Sequence, residues 1–303
     1  MFTMRHGLAL VLGLCLLAPG AIGQKEEERL PNRPKVAGKL KLQLRERKEA
    51  KPGADVKVIE RSVEWQVAET AIIVCDMWDD HHCKSAAQRV GVLAPKMNAI
   101  LTAARNHGVQ IIHAPSETMY IYADYPERKR MLQAKPAKAP VPIERWCNLD
   151  PAKEPPMPVD VSKCSCDDPI EISRGRKWSK QHAGIDIIGY DGISDNGQEV
   201  FNLCEQEGIK NIVIMGVHTN MCVLGRSFGI RQMFRLGKNV VLARDLTDAM
   251  YDPRQPPFVS HTRGTELVVE HIEKYWCPSI LSKDLTEVIE GSAGPVPTKS
   301  ASK

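Results

Sequence analysis

The chain has 303 residues and a formal net charge of +4, and 26% of its residues are charged. This length is enough for one large domain or two small ones with an ample core. Lysine and arginine are spread along the chain and form no basic stripe. The composition is therefore not that of a nucleic-acid-binding protein, and no nucleic-acid partner is expected.

The first 23 residues have the pattern of a secretory signal peptide. Met4-Arg5-His6 gives a positive start, residues 8–18 are apolar, and Ala21-Ile22-Gly23 is a small-x-small cleavage site. The apolar run is too short for a comfortable membrane span. The pattern predicts an exported soluble protein, periplasmic or secreted, that begins near Gln24 and has no membrane partner after cleavage.

Eight of the nine cysteines lie beyond this segment, and export permits disulfides. Cys147, Cys164 and Cys166 lie in an irregular part of the chain and are the candidates for a bridge or a metal site. A Cys-x-Cys pair with one further cysteine is an incomplete ligand set, because no fourth ligand has a suitable spacing. The sequence alone therefore assigns no metal.

The apolar pattern of the first half predicts alternating strands and helices. Two alternating segments, 39–44 and 56–59, predict an N-terminal hairpin around Pro52-Gly53. Residues 70–75 predict a buried strand, a helix of period 3.6 follows and ends at Gly108, and residues 109–113 predict the next strand. Such a βαβ unit implies a parallel sheet.

An insert interrupts this rhythm over residues 115–178. Residues 119–132 can be helical, whereas 135–158 are rich in Pro, Lys and Ala and predict an irregular segment that could cover a site. The sheet is expected to resume at 170–172.

The rhythm returns from residue 195. The pattern predicts a helix at 197–207, a strand at 211–215, a helix from Cys222 to about Leu236, a strand at 239–243 and a helix at 265–275. The predicted fold class is α/β, with a doubly wound, mainly parallel sheet flanked by helices.

The segment 216–227, Gly-Val-His-Thr-Asn-Met-Cys-Val-Leu-Gly-Arg-Ser, carries the strongest chemical signal. Gly216 is expected to break the preceding strand, and Thr219 or Asn220 can cap a helix whose first turn holds Cys222. Unpaired N–H groups and the helix dipole would favour the nucleophilic thiolate and could hold an oxyanion. A buried structural cysteine is the alternative interpretation.

Two predicted strands end in reactive groups, since Asp76 follows one and Cys222 follows the other. In open α/β sheets, sites form at the carboxyl ends of the strands. An acid beside a thiol can take its proton and pass it to a leaving amine. A cation would hold the two anions together, and Lys177 and Lys180 are the candidates.

A strand ending in Asp, then Lys, then Gly-x-x-Thr-x-x-Cys-Val at a helix start resembles the isochorismatase-like cysteine hydrolases. This family includes nicotinamidases and N-carbamoylsarcosine amidase. The resemblance covers roughly residues 68–115 and 170–282. It implies a triad in which Cys222 is the nucleophile, Asp76 transfers the proton and Lys180 is the electrostatic partner, with Lys177 as the alternative.

The resemblance implies two further features of the site. It places a cis peptide bond between Val217 and His218, and it makes the backbone N–H groups of His218 and Cys222 the oxyanion donors. Together, the N-terminal pattern, the apolar pattern and the resemblance divide the chain into a signal peptide (1–23), an extension with the hairpin (24–67), the hydrolase domain (68–282, with the insert at about 119–169) and a polar tail (283–303).

The chain departs from nicotinamidases at the second strand. Those enzymes carry an Asp-x-His metal site there, whereas this chain has Pro115-Ser-Glu-Thr118, which disfavours both a metal and nicotinamide. Trp78, His81 or His82, Glu117 and Tyr120 are the candidates for lining a substrate pocket; a solvated polar loop is the alternative for the histidines. Residues 79–82 could also bind a metal, but adjacent residues rarely converge on one ion.

The implied function is an exported cysteine hydrolase that cleaves an amide-like C–N bond of a small molecule through a thioester and needs no cofactor. A homo-oligomer is compatible with the resemblance. One alternative is a non-catalytic exported protein that kept the fold to bind a small molecule. An ether-cleaving hydrolase like isochorismatase is disfavoured by Cys222, because the best-known members of that branch use no cysteine nucleophile.

Overall fold

A computed structural model describes residues 30–51, 53–162, 165–170 and 175–289. The predicted signal peptide, Cys164 and residues 290–303 of the predicted tail lie outside the described residues. Pro52 of the predicted turn lies outside them as well. None of the described helices is both long enough and apolar enough to cross a membrane.

Eight strands form one sheet in the order β2-β1-β8-β7-β6-β3-β4-β5. The strands are β1 (Lys39–Glu49), β2 (Val56–Gln66), β3 (Thr70–Cys75), β4 (Gln110–Ala114), β5 (Gly192–Ile193), β6 (Asn211–Val217), β7 (Asn239–Asp248) and β8 (Ser279–Ile280). Strands β3 to β8 pair in parallel. The predicted mainly parallel sheet is therefore confirmed.

Six α-helices are present in the described part of the chain. They are α1 (Lys84–Asn106), α2 (Pro126–Gln133), α3 (Gly197–Glu207), α4 (Cys222–Gly225), α5 (Ile230–Arg235) and α6 (His261–Tyr275). Apolar side chains of β3 alternate between two cores, with Ala71 and Ile73 on one face and Ile72 and Val74 on the other. Helix α1 packs on the second face, and α3, α5 and α6 pack on the first. The sheet is thus covered on both faces, as a doubly wound fold requires.

The N-terminal hairpin is also confirmed, and it belongs to the same sheet. Strands β1 and β2 pair in antiparallel fashion along their whole length, and β1 pairs with β8 through Arg45 and Ser279. Leu40, Leu42 and Leu44 point into the core that also contains the buried face of α1. The alternating pattern in the sequence is therefore the signature of one buried face.

Helix α3 spans the predicted residues 197–207 because its ends carry strong signals. Asn196 accepts hydrogen bonds from the N–H groups of Gln198 (2.8 Å) and Glu199 (3.3 Å), and Gly208 ends the helix with φ of 69°.

Asn196→Ala is expected to lower the free energy of unfolding by about 1 kcal/mol, because these two N–H groups lose their acceptor. Urea denaturation followed by circular dichroism measures the change. Asn196→Asp, which keeps an accepting oxygen, is the control and should stay within about 0.5 kcal/mol of the wild type. An equal loss in both variants would contradict the capping role.

The prediction that the sheet resumes at 170–172 is wrong at Ile170, which is 75% exposed; residues 171–174 lie outside the described residues. The sheet resumes instead at the two-residue strand β5, which pairs with β4 at Ile112 and His113. Two apolar residues flanking a Glu form too short an alternation to define a strand by themselves. Residues 135–158 contain no helix or strand, as predicted.

The single helix predicted from Cys222 to Leu236 is also wrong, because α4 ends at Gly225 and α5 begins at Ile230. Arg226 is extended, with ψ of 157°. The insert explains the break: the Cys147 N–H donates to the Gly225 carbonyl (2.7 Å), and Trp146 forms a β-bridge with Arg226. A backbone contact from a segment distant in sequence therefore overrides the local helical pattern.

Candidate active site

Strands β3 and β6 are neighbours, and Cys75 pairs with Gly216. Gly216 was expected to break the strand, but it continues the strand with φ of 110°. A Cβ atom at this position would lie 2.1 Å from the Cys75 carbonyl oxygen, so only glycine lets the two strand ends come this close. The chain segments that follow them, starting at Asp76 and His218, emerge side by side.

Asp76 is fully buried and is held by hydrogen bonds at both carboxylate oxygens. Oδ1 accepts from the Ser116 N–H (2.8 Å), and Oδ2 accepts from Arg226 Nε (3.1 Å). The Cys222 thiol lies close enough to Asp76 and Arg226 for both side chains to affect its pKa. The structure therefore brings together a thiol, a carboxylate and a guanidinium in one buried cluster.

Arg226 is the cation of this cluster, a role for which the sequence pattern offered only lysines. Its guanidinium is half-buried beside the fully buried Asp76, and the Trp146 ring lies 5.7 Å from its Cζ. Its spacing from Cys222 gives no reliable signal, because α4 ends at Gly225 and Arg226 is extended.

Lys177 and Lys180 are the cations that the sequence analysis named. Both are exposed, and neither forms an ion pair with a residue in the described ranges. The Lys180 N–H donates to the Asp79 carboxylate (3.2 Å), and its carbonyl accepts from the Asp79 N–H (2.9 Å). The backbone of Lys180 is thus tied to the loop after β3, whereas the assignment of its ammonium group to the triad stays a prediction.

The thiol is not in the thiolate form that the helix start was expected to favour. Burial raises the pKa of Cys222 well above its ordinary range, the Asp76 carboxylate raises it further, and Arg226 opposes both. Helix α4 has only four residues, so its dipole is too small to offset burial. Burial also raises the pKa of Asp76, against the lowering effect of Arg226.

The raised pKa values of Cys222 and Asp76 have a chemical consequence. Cys222 keeps its proton at neutral pH, and the adjacent Asp76 can accept that proton when the sulfur attacks. The two groups titrate as a pair, and Arg226 balances the one negative charge they share. The cluster can therefore perform a coupled proton transfer and nucleophilic attack.

The backbone before Cys222 has the predicted path. The peptide bond between Val217 and His218 is cis, at the position that the resemblance implies. The N–H of Thr219 donates to the Asp248 carbonyl (2.9 Å), and those of Met221 and Val223 donate to the His218 carbonyl (2.9 and 3.2 Å). The role of the His218 and Cys222 N–H groups as oxyanion donors stays a prediction.

Aromatic rings line one side of the same region. Trp178 stacks on Trp78 with a centroid distance of 4.3 Å and on His81 at 5.6 Å, and His81 meets His218 edge-on at 5.1 Å. His82 packs on His81 at 4.0 Å. The pKa values of His81 and His218 fall to about 3 and about 4 respectively, chiefly because of burial, so both rings are neutral at pH 7.

Two polar atoms in this aromatic cluster have no hydrogen-bond partner among the described residues. They are Trp178 Nε1 and His218 Nε2, and both are buried. An unpaired buried polar group costs about 1–3 kcal/mol. Such atoms are suited to bind a ligand, and Trp178 was not among the predicted pocket residues.

The other predicted pocket residues are more exposed. The Glu117 carboxylate lies 3.9 Å from Arg226 Nη1, which places it at the edge of the cluster. Tyr120 is 61% exposed, and its hydroxyl accepts from Arg176 Nη2 (2.8 Å). Asp79 binds Ser179 and Asp80 pairs with Lys84, so these two acids have other partners in the described structure.

No protein-family profile and no curated protein matches the sequence. Solved structures do match. A cysteine hydrolase from Pseudomonas syringae pv. phaseolicola has a TM-score of 0.43 and 14% identity, covering 72% of this chain and 91% of that one. An isochorismatase family protein from Burkholderia thailandensis has a TM-score of 0.41 and 14% identity, covering 72% and 93%.

N-carbamoylsarcosine amidase from Thermoplasma acidophilum has a TM-score of 0.40 and 11% identity, covering 74% of this chain and 99% of that one. The solved structures to which this chain is similar thus include isochorismatase-family proteins and cysteine hydrolases.

Proposed function

We propose that this protein is a cysteine hydrolase that cleaves an amide-like C–N bond of a small molecule through a thioester on Cys222. The observation that carries the proposal is the buried Cys222 thiol beside the Asp76 carboxylate, which Arg226 Nε binds at 3.1 Å. The sequence motif that places Cys222 after a strand and at a helix start supports it as well.

The mechanism follows from the positions of these groups. Cys222 Sγ attacks the substrate carbonyl carbon while its proton passes to Asp76. The tetrahedral oxyanion would be held by the N–H groups of His218 and Cys222. Asp76 then gives the proton to the nitrogen, the C–N bond breaks and an amine leaves.

Water completes the cycle. Asp76 takes a proton from the water while the water oxygen attacks the thioester carbon. The C–S bond then breaks, the acid product leaves, and Asp76 returns the proton to the Cys222 sulfur. Arg226 keeps its charge throughout and stabilises whichever partner is anionic. In this proposal Arg226 takes the electrostatic role that the resemblance gives to Lys180.

The aromatic cluster supports a small, planar substrate. Trp178, which stacks on the buried Trp78, offers an apolar ring, and Trp178 Nε1 and His218 Nε2 can bind polar substrate atoms. Export, as implied by the N-terminal pattern, and assembly into a homo-oligomer remain part of the proposal.

A non-catalytic binding protein is the second candidate. The observation that favours it is the burial of Cys222, which is 7% exposed and has a raised pKa. An inert or disulfide-bonded thiol would suit this function. The pH dependence of thiol labelling separates the two candidates.

We expect alkylation of Cys222 by iodoacetamide to have a midpoint above the ordinary thiol value of about 8.5. Asp76→Asn removes a negative charge next to the thiol, so the midpoint should fall. Arg226→Met removes a positive charge, so the midpoint should rise. Peptide mass mapping of the purified protein locates the label at each pH.

The control is Cys147→Ser, since Cys147 is another buried cysteine that contacts neither Asp76 nor Arg226 through any described bond. Alkylation midpoints that are the same in the wild type, Asp76→Asn and Arg226→Met would favour the binding protein. A Cys222 that is already in a disulfide would favour it as well. Shifts in opposite directions would support the reacting cluster.

A further inference from the structure

A second group of reactive side chains lies at the amino end of α1. The sulfur atoms of Cys83 and Cys166 and a carboxylate oxygen of Asp168 all lie within 4.8 Å of one another. The Cys83 sulfur is 3.6 Å from Asp168 Oδ1. None of these three groups takes part in the proposed hydrolysis.

The spacing fits a tetrahedral metal ion. Zinc bonds of about 2.3 Å to sulfur and about 2.0–2.2 Å to oxygen place ligand atoms roughly 3.5–3.8 Å apart. Small rotations of the side chains would bring the three atoms to these separations. Two thiols with one carboxylate favour a borderline-soft ion such as Zn²⁺ over Mg²⁺ or Ca²⁺.

The surroundings hold the ligand groups in place. The Asp168 carboxylate accepts from the N–H groups of Lys84 and Ser85, both at 2.8 Å. Arg254 Nη2 donates to the carbonyls of Cys166 (3.3 Å) and Asp168 (2.9 Å). Such hydrogen bonds to ligands and their backbone are what orients a metal site.

Charge and packing agree with this interpretation. Two thiolates and a carboxylate around a divalent ion leave one negative charge, which the positive end of the 23-residue helix α1 would stabilise. Ala86 and Met250 pack around Cys83, with Cys166 against them, and give the sulfurs an apolar shell. The nearby Asp167 is already paired with Arg89.

We propose that Cys83, Cys166 and Asp168 bind a divalent, borderline-soft metal ion of the Zn²⁺ class, with water as the fourth ligand on the half-exposed side of Cys166. Binding releases the two thiol protons. The ion would tie the insert to the start of α1, across a gap of more than 80 residues in sequence. The spacing of residues in the sequence therefore could not reveal these three ligands.

The experiment uses the purified full chain, reduced and treated with a chelator, and then titrated with Co²⁺ or Zn²⁺. The expected result is one ion per chain and a thiolate-to-cobalt charge-transfer band in the near ultraviolet. Cys166→Ser should lose that band. Asp168→Asn keeps an accepting oxygen for one of the two helix N–H groups but should weaken affinity by at least about tenfold.

Cys147→Ser is the control, because it also replaces a buried insert cysteine but should leave the band and stoichiometry unchanged. Circular dichroism confirms that each variant is folded; if Cys166→Ser fails this check, Asp168→Asn decides. Binding equal in all variants, or no binding, overturns the proposal. A disulfide between Cys83 and Cys166 would overturn it as well. Mass spectrometry without reductant would show this bond as a protein mass lower by two hydrogens and as a linked pair of Cys83 and Cys166 peptides.

Discussion

Arg226→Met should lower kcat/KM for an amide substrate by about 100- to 1000-fold, the usual cost of removing one preorganised charge or donor from an active site. Methionine keeps much of the side-chain volume but leaves Asp76 buried without its cation. Asp76 would then hold a proton, since burial already raises its pKa, and could no longer accept one from Cys222. Ammonia release from a panel of small primary and carbamoyl amides measures the loss.

Lys180→Met is the matched control. Its ammonium group lies at the surface and has no ion pair among the described residues, so the structure predicts a change of less than about threefold, under 1 kcal/mol. Arg226→Lys keeps the charge but not the planar fork and should recover part of the activity. A large loss in Lys180→Met with none in Arg226→Met would instead assign the triad as the family resemblance does.

Glu154→Gln should lower the free energy of unfolding at pH 7 by about 3–5 kcal/mol, the usual cost of removing one partner from a buried ion pair. Glu154 is 2% exposed. Its carboxylate accepts from Arg231 (2.7 Å), His271 (2.7 Å) and Trp276 (2.8 Å). Glutamine would leave the buried Arg231 without an anion.

The effect should depend on pH. Hydrogen bonds from His271, Arg231 and Trp276, together with the charge of Arg231, outweigh burial and lower the pKa of Glu154 from 4.5 to about 2. A lowered folded-state pKa gives stability that is present above pH 4.5 and is lost as the pH falls towards 2. The difference between wild type and Glu154→Gln should therefore shrink across that window.

Urea denaturation at pH 7 and at pH 3 measures both effects. Glu144→Gln is the control, because Glu144 is also in the insert and pairs with an arginine, but its side chain is 52% exposed. That variant should lose less than about 1 kcal/mol. A similar loss in both variants, or a Glu154 effect that does not change with pH, would contradict a buried ion-paired role.

The strands and the positions of Asp76 and Cys222 could be predicted from sequence because their signals are local. The apolar run before Asp76 and the Gly-x-x-Thr-x-x-Cys pattern placed both groups at strand ends, and β3 and β6 turned out to be neighbours. The cation could not be predicted in the same way. Its position depends on the insert, whose Trp146–Cys147 segment ends α4 and leaves Arg226 extended beside Asp76.

The protonation state of Cys222 was missed for a related reason. A helix start favours thiolate only when the helix is long and the sulfur meets water. Here α4 is four residues long and Cys222 is buried beside a carboxylate. Burial is a tertiary property, and no pattern around residue 222 encodes it. The convergence of Cys83 with Cys166 was hidden likewise, because it depends on where the insert returns to the sheet.

The pairing of β1 with β8 has a consequence for where the protein can be shortened. The family resemblance begins near residue 68, which suggests that everything before it is dispensable. Yet Leu40, Leu42 and Leu44 are buried in the same core as α1. Even before the hairpin, the buried Arg33 donates to the Ala68 carbonyl (2.6 Å). A fragment that starts at residue 68 would leave β8 as an unpaired sheet edge and expose the apolar core beneath it, so the shortest fragment that folds alone should start ahead of Arg33.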